Sequence, residues 1–252
     1  MKYGFIGCGN MGGAVAQALS KATKDILLAD RSGKGRLLAQ SLGCAYGTAE
    51  EAASCDCVFL AVKPQGMKEV LTGLQTILAE KKPLLISMAA GLEVSTIEDY
   101  AGVKLPVIRI MPNTPVAVGK GVVEYCTNEG VTQQMLSDFL ADMRFAGMLD
   151  AIEERLIDGA CSLSGCGPAF AYLFLDALAE GAVACGVPRD KALSYAAATL
   201  EGAAKMVKTT GKSPEELKNA VCSPKGSTLE GVKVLEDRDL RGIVMDCVAA
   251  SY

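Results

Sequence analysis

Two short stretches of the sequence carry residue types at spacings that suit chemistry. Gly7-Cys8-Gly9-Asn10-Met11-Gly12 has the spacing G-x-G-x-x-G close to the N-terminus. Near the C-terminus, Ser223-Pro224-Lys225-Gly226-Ser227-Thr228 is small and polar, and a proline and a glycine interrupt it. The first stretch favours phosphate binding by a backbone turn, and the second is a candidate position for a small polar substrate.

Each glycine of the first stretch has its own expected task. Gly7 permits a tight turn after a strand, Gly9 lets a pyrophosphate approach the backbone, and Gly12 lets the following helix pack against that strand. The N-terminus of that helix then offers free N–H groups to the phosphates. Asp30 ends the next apolar run, 18 residues after Gly12. This order predicts a dinucleotide site, and a glycine turn that binds another ligand is the alternative.

The choice between NAD(H) and NADP(H) rests on residues 30 to 36. Asp30 is placed to hydrogen-bond the ribose 2′-OH of NAD(H), whereas Arg31, Ser32, Lys34 and Arg36 are candidates for holding the 2′-phosphate of NADP(H). These signals conflict, so the residues leave the choice open.

The sequence contains no histidine, which limits the acid–base chemistry available. Oxidation of an alcohol needs a base, commonly His, Lys or Tyr, and Lys63 is a candidate for that role. Hydride addition to a C=N bond fits better, because a cyclic imine is protonated near neutral pH and is then already electrophilic. A neutral hydroxyl group or a water molecule then suffices as the hydrogen-bonding partner of the imine.

The second stretch suits such a substrate. Ser227 and Glu230 have capping-box spacing, which predicts a helix that begins at about Ser227. The free N–H groups and the dipole of that end favour a carboxylate, and Thr228 in the first turn is placed to hydrogen-bond a ring nitrogen. The alternative is that the stretch is only a well-capped helix start.

The elements that position these stretches alternate along the first half of the chain. Apolar runs predict strands at residues 2–7, 26–30, 56–64, 83–91 and 106–115, with helices between them. The runs are apolar throughout, which is typical of a parallel sheet covered on both faces.

Two further signals refine this pattern. AVKPQ (61–65) and MAAG (88–91) stand at strand ends, where open α/β sheets bind ligands. Capping-box spacings predict helix starts at Thr48 with Glu51, at Ser95 with Glu98, and at Ser213 with Glu216.

The pattern changes near Asp150, because residues 152–252 carry no convincing strand signal. We therefore predict a dinucleotide-binding domain over residues 1–150 and an all-helical substrate and dimerisation domain over residues 151–252. The helical half is rich in alanine and has few large side chains for a core of its own. We expect it to pack against a second subunit.

Composition excludes several classes of protein. A net charge of −4 and a pI near 5.1 argue against nucleic acid as a partner. The ten cysteines form no C-x-x-C pair, which argues against a metal site and favours thiols in a reducing cytoplasm. We expect no signal peptide. The most apolar stretch, residues 169–187, carries Asp176 and Glu180, so we expect a buried or interface helix there and no membrane span.

Taken together, the motifs resemble the pyrroline-5-carboxylate reductase family over nearly the whole chain. The matching motifs are GFIGCGNMG (4–12), FLAVKPQ (59–65), MAAG (88–91), RIMPNTP (109–115), SLSGCGPAF (162–170), GVPRDKA (186–192) and the stretch 223–228. The resemblance implies a Rossmann domain with a doubly wound, mostly parallel sheet, followed by an all-α dimerisation domain. It implies a homodimer, leaves open the assembly of dimers into a decamer, and implies reduction of 1-pyrroline-5-carboxylate to L-proline with NADPH or NADH.

The resemblance also implies residue roles. Thr228 would be catalytic, as the partner of the ring nitrogen, and the turn at 164–168 would help to shape the site. The substrate would meet Ser223, Gly226, Ser227 and Thr228. The cofactor would contact Ile6, Gly7, Cys8, Gly9, Asn10, Met11, Asp30, Arg31, Ser32, Thr48, Ala61, Val62, Lys63, Pro64, Met88, Ala89 and Ala90.

Two residues depart from the family pattern. Lys225 stands where the family usually has the first glycine of Ser-Pro-Gly-Gly. If that position needs a positive φ, lysine is strained there, and its charge would alternatively assist the substrate carboxylate. Asp30 stands where members often carry a neutral residue.

Two other functions remain as alternatives. One is a dehydrogenase similar to β-hydroxyacid dehydrogenases with Lys63 as the catalytic residue, and the other is a dinucleotide sensor without catalysis.

Overall fold

The computed structural model describes all 252 residues, which form two compact units, Met1–Gly165 and Cys166–Tyr252. The first unit is built on one eight-stranded sheet with the strand order β3-β2-β1-β4-β5-β6-β7-β8. The strands are β1 (Tyr3–Ile6), β2 (Ile26–Ala29), β3 (Ala45–Tyr46), β4 (Cys57–Leu60), β5 (Leu84–Ser87), β6 (Val107–Pro112), β7 (Gly121–Thr127) and β8 (Gly147–Ala151). All neighbouring strands are parallel except β6 and β7. The predicted mostly parallel α/β sheet is confirmed.

Helices connect the strands of this unit. They are α1 (Asn10–Leu19), α2 (Lys34–Leu42), α3 (Ala49–Ala53), α4 (Pro64–Lys81), α5 (Val94–Ala101), α6 (Gln133–Met143) and α7 (Ile157–Ser164). Short 3-10 turns lie at Thr114–Val118 and Glu154–Leu156.

The sheet separates two apolar layers, because successive side chains of a strand point to opposite faces. On one face Phe5 stacks on Phe59 with 4.3 Å between ring centroids, beside buried residues of α1 and α6. On the other face Val58 and Leu85 pack against α3, α4 and α5. This arrangement explains why the strands read as uninterrupted apolar runs in the sequence.

Some of the capping boxes predicted at helix starts are present in the structure and others are not. Thr48 with Glu51 and Ser213 with Glu216 form reciprocal capping boxes, as predicted. The prediction at Ser95 is wrong, because Glu93 is the N-cap of α5 and Glu98 instead bonds the side chains of Lys104 and Asn128.

The segment from Gly121 to Ala151 had no element predicted in it, yet it forms β7, α6 and β8. The strand signal of β7 is interrupted by Glu124, which is 5% exposed. The first unit also continues past Asp150, where the sequence pattern changes. Its α7 stays with the sheet because the Asp158 carboxylate pairs with Arg109 and the Ser164 carbonyl accepts from the Asn113 amide.

The second unit is entirely helical, and no residue from 152 to 252 is in a strand. Its helices are α8 (Gly167–Ala184), α9 (Arg189–Thr210), α10 (Pro214–Val221), α11 (Ser227–Asp237) and α12 (Leu240–Ala249). Only Ala179, Ala192 and Ala196 form a buried apolar cluster there. Large apolar side chains are exposed on every one of these helices, among them Leu173, Leu193, Val221, Val234 and Met245. Exposed apolar faces of this kind mark interaction surfaces.

By length and composition alone, the helical stretch Glu154–Ala184 is apolar enough to cross a membrane, with a mean hydropathy of 1.2. This hydropathy belongs to a window of 18 residues within the stretch, and only 6% of that window is buried within the chain. A helix at the interface between two subunits passes the same test of length and composition.

Candidate functional site

The glycine turn lies at the carboxyl end of β1 and leads into α1. Gly7 has a φ of +103°, and a Cβ there would lie 2.6 Å from the Ala61 carbonyl oxygen. A Cβ on Gly12 would lie 2.5 Å from the Gly7 carbonyl oxygen. Gly9, the N-cap of α1, has a φ of −69° and nothing within 4 Å of a Cβ. Gly7 and Gly12 are therefore required by the fold, whereas Gly9 leaves open space above a helix N-terminus.

Three clefts border this turn, and one of them, lined by Cys8, Gly9 and Asn10 among others, lies beside α1 and α2. The other two contain most of the expected cofactor residues. The first, of about 290 Å³, is lined by Ile6, Gly7, Asp30, Arg31, Thr48 and Val62 among others. The second, of about 430 Å³, is lined by Gly9, Asn10, Met11, Ala61, Val62, Lys63 and Met88 among others. The carboxyl ends of β1, β2, β4 and β5 thus bring most of the expected cofactor residues to one edge of the sheet.

Five of the expected cofactor residues line neither of the clefts of about 290 and 430 Å³. They are Cys8, Ser32, Pro64, Ala89 and Ala90. Burial raises the pKa of the Cys8 thiol to about 12, and its Sγ donates to the Ala29 carbonyl at 3.7 Å, so only its backbone faces the turn. Pro64 is the first residue of α4, and Ala89 is 1% exposed.

Asp30 is bonded by its own loop. One carboxylate oxygen accepts the Ser32 N–H at 3.0 Å and also the Ser32 hydroxyl, and the other accepts the Gly35 N–H at 3.0 Å and the Tyr46 hydroxyl at 3.3 Å. Partial burial favours the protonated form, but these hydrogen bonds outweigh it and hold the pKa of Asp30 below its usual range. Both oxygens of this carboxylate are therefore engaged before any ribose approaches.

The basic residues beside Asp30 are exposed. Arg31 pairs with Glu69 at 3.5 Å, with both side chains at least 75% exposed, and such a pair contributes little stability. The Arg36 guanidinium lies 5.3 Å from the centre of the Tyr46 ring. These cations give the end of β2 an electropositive rim suited to a phosphate.

The second predicted stretch is the loop between α10 and α11. The Gly226 N–H donates to the Ser223 carbonyl at 2.9 Å, and a Cβ on Gly226 would lie 2.5 Å from Ser223 Oγ. Lys225 has a φ of +61°, so the strain expected of a lysine at this position is present. Lys218 of α10 pairs with Glu236 of α11 at 3.1 Å, so a solvent-exposed ion pair bridges the two helices beside the loop.

The start of α11 differs in one detail from the prediction. Gly226 is the N-cap and Ser227 is the first helical residue, so the predicted capping box of Ser227 with Glu230 is wrong. The backbone N–H groups of Ser227 and Thr228 have no acceptor within the chain, as expected at a helix start without a side-chain cap. Ser223, Ser227 and Thr228 are exposed. The loop presents two free N–H groups and the Thr228 hydroxyl together.

Other candidate groups lack a prepared surrounding. Lys63 is exposed at the N-cap of α4 and makes no ion pair. Tyr100 and Lys104 have the Tyr-x-x-x-Lys spacing of some dehydrogenases. Tyr100 lies in the last turn of α5 and Lys104 lies beyond its end, and neither lines a cleft at the glycine turn. Lys104 also pairs with Glu98 at 3.1 Å. No group of three or more Cys, Asp or Glu side chains is arranged to hold a metal ion.

Sequence patterns missed one cluster beside the cofactor edge. Arg109 of β6 is 1% exposed and bonds Glu154 at 3.2 Å and Asp158 at 2.8 Å. The only signal in the sequence is an arginine within an otherwise apolar strand, which requires an acidic partner when it is buried.

Comparison with known proteins covers both units. The family model described as pyrroline-5-carboxylate reductase dimerisation matches residues 154–252, and that described as NADP oxidoreductase, coenzyme F420-dependent, matches residues 2–91. Pyrroline-5-carboxylate reductases of Aquifex aeolicus and Escherichia coli are 37% and 36% identical, each over 98% of this chain and 94% of the relative.

A solved structure extends the match to the whole fold. The chain superposes with a TM-score of 0.90 on Plasmodium falciparum pyrroline carboxylate reductase with NADP bound, at 32% identity, over 100% of this chain and 95% of that one. The protein therefore belongs to the pyrroline-5-carboxylate reductase family.

Proposed function

We propose that this protein reduces 1-pyrroline-5-carboxylate to L-proline, with NADPH as the preferred hydride donor. The observation that carries the proposal is the start of α11, where two unbonded N–H groups and the Thr228 hydroxyl stand together on a chain without histidine. A carboxylate next to a ring nitrogen matches this set of donors.

The residues of the first unit fit a dinucleotide. The open space at Gly9 and the free N-terminus of α1 would receive the pyrophosphate. The loop Met88–Ala90 and residues Ala61–Pro64 would border the nicotinamide, because they follow β5 and β4 at the carboxyl edge. When bound, the cofactor supplies the hydride that reduces the imine carbon.

NADP(H) is favoured over NAD(H) by the state of Asp30. Its oxygens are engaged by Ser32, Gly35 and Tyr46, so it is a poor acceptor for a ribose hydroxyl. Arg31 and Arg36 would instead balance the charge of a 2′-phosphate. NADH remains a slower alternative.

At the substrate, the residues of this chain bind and orient. The N–H groups of Ser227 and Thr228 would hold the carboxylate, with Ser223 and Gly226 shaping the loop around it. The Thr228 hydroxyl would hydrogen-bond the ring nitrogen. Where the imine arrives unprotonated, Thr228 or a bound water molecule would give this nitrogen a proton as the imine carbon receives hydride, and solvent would return a proton to the donor.

The family model described as dimerisation matches residues 154–252, which carry the exposed apolar faces of the second unit. We propose a homodimer, with assembly of dimers into a decamer as its larger form, in the cytoplasm. The absence of a charged run and the acidic pI favour a small-molecule substrate over nucleic acid as the ligand.

The test of the site is the kinetics of Thr228→Ala and Thr228→Ser. We expect Thr228→Ala to bind NADPH like the unmodified enzyme and to lose about 30- to 150-fold in kcat/KM, the effect of removing one transition-state contact of about 2–3 kcal/mol. Thr228→Ser keeps the hydroxyl and should retain most activity. Equal kinetics for the Ala variant and the unmodified enzyme would remove Thr228 from the mechanism.

A further inference from the structure

Arg109 lies at the centre of a set of contacts that links three elements of the first unit. Its Nη1 is 3.2 Å from Glu154 Oε1, in the 3-10 turn before α7. Its Nη2 is 2.8 Å from Asp158 Oδ1 in α7. With its side chain 1% exposed, the guanidinium depends on these two carboxylates for the charge compensation that water provides elsewhere.

Glu154 carries the link onward to α5. The same Oε1 that meets Arg109 accepts the Val94 N–H at 2.7 Å. Val94 is the first residue of α5, and the N-cap residue Glu93 has no side-chain cap of its own. Glu154 therefore supplies from another segment the acceptor that a local capping residue provides in α3.

The cluster also reaches the other end of the loop that joins β5 to α5. Ser87, the last residue of β5, lies opposite Arg109 in the parallel register, so the two side chains project from the same face of the sheet. Ser87 Oγ and Arg109 Nε are both buried and lack partners within the chain.

We propose that Arg109 is a positioning residue that, through Glu154, holds the loop 88–93 at its α5 end and ties it to α7. The inference rests on the proposed function, in which Met88–Ala90 borders the nicotinamide. The loop is then held by a buried cation that lines neither of the two clefts containing most of the expected cofactor residues. It acts through Glu154 at the start of α5.

The test replaces Glu154, whose side chain is 33% exposed, because loss of the buried Arg109 would endanger folding. Glu154→Ala removes the acceptor of the Val94 N–H, and Glu154→Gln retains an acceptor oxygen. Glu153→Ala is the matched control, since Glu153 is adjacent and pairs only with Arg155 at 2.7 Å. Dissociation constants are measured for NADPH and for 2′,5′-ADP, a fragment that lacks the nicotinamide half.

We expect Glu154→Ala to weaken NADPH about tenfold, as for loss of one hydrogen bond to a charged group, and to leave 2′,5′-ADP within about twofold. Glu154→Gln should recover most of the NADPH affinity, and Glu153→Ala should match the unmodified protein. Equal weakening of both ligands, or no weakening of NADPH, would overturn the proposal. Either outcome leaves the reductase function standing, because that function is judged by turnover of the imine in the unmodified enzyme.

Discussion

The two glycines Gly9 and Gly12 give a direct test of how the first unit receives a dinucleotide. A Cβ on Gly12 would lie 2.5 Å from the Gly7 carbonyl oxygen and 2.8 Å from Ala61 Cβ, well inside van der Waals contact. A Cβ on Gly9 would meet nothing within 4 Å, and its φ of −69° suits any residue. The substitutions Gly9→Ala and Gly12→Ala are chemically identical but should have opposite consequences.

The magnitudes follow from these distances. Overpacking at Gly12 should cost about 1–3 kcal/mol of unfolding free energy, which lowers Tm by roughly 2–4 °C per kcal/mol in a chain of this size. At Gly9, alanine is a slightly poorer N-cap than glycine and should cost less than about 1 kcal/mol. It would, however, keep the pyrophosphate from the N–H groups of α1. Loss of one such charged hydrogen bond, about 1.5–3 kcal/mol, weakens NADPH by roughly 10- to 150-fold.

The assay combines thermal unfolding without ligand and NADPH titration followed by cofactor fluorescence. Gly9→Ala should melt close to the unmodified protein and bind NADPH poorly. Gly12→Ala should melt lower. If Gly9→Ala binds NADPH with unchanged affinity, the pyrophosphate does not approach Gly9, and the assignment of the glycine turn is wrong.

Three further predictions concern residues in unusual surroundings. Lys225→Gly should relieve the positive φ and stabilise the fold by up to about 1 kcal/mol, and an unchanged KM for the imine would show that the lysine charge is incidental. Because burial raises the pKa of Cys8 to about 12, this thiol should resist iodoacetamide at pH 8.5, as mass spectrometry would show, and rapid labelling would contradict its burial. The folded chain keeps this proton between pH 9 and 12 while the unfolded chain loses it, so its contribution to stability falls as pH rises through that window. Glu124 is 5% exposed with Oε2 unbonded, so Glu124→Met, the residue type opposite it on β6, should raise the unfolding free energy by about 1–3 kcal/mol, and a lower Tm would reveal a partner for the carboxylate in the assembled enzyme.

The sequence predicted elements whose signals are local. The apolar runs, the glycine turn and the capping boxes at Thr48 and Ser213 depend on neighbours a few residues away, and the structure contains all of them. The spacing of Ser95 with Glu98 also matched a capping box, but Glu98 bonds Asn128, 30 residues along the chain. The spacing of Ser95 and Glu98 does not reveal that a distant side chain, Asn128, binds the Glu98 carboxylate instead.

What the sequence missed depends on distant contacts. The antiparallel strand β7 is held by pairing with β6. Its buried Glu124 interrupts the apolar run, so the sequence did not predict a strand there. The contacts of Arg109 span 45 and 49 residues, so no local pattern indicates them. For the loop 223–228, the residue types predicted a helix start near Ser227, whereas the positive φ of Lys225 and the N-cap at Gly226 became visible only in the backbone of the structure.

The most direct test of the central claim is the steady-state oxidation of the reduced cofactor on addition of 1-pyrroline-5-carboxylate, with NADPH and NADH compared side by side and a β-hydroxy acid with NADP⁺ as the competing reaction. We expect turnover of the imine with both cofactors, a higher kcat/KM with NADPH, and no turnover of the hydroxy acid. Turnover of the hydroxy acid alone would point to Lys63 and a dehydrogenase, and cofactor binding without any turnover would point to a sensor. Either result would contradict an imine reductase built on the glycine turn and the start of α11.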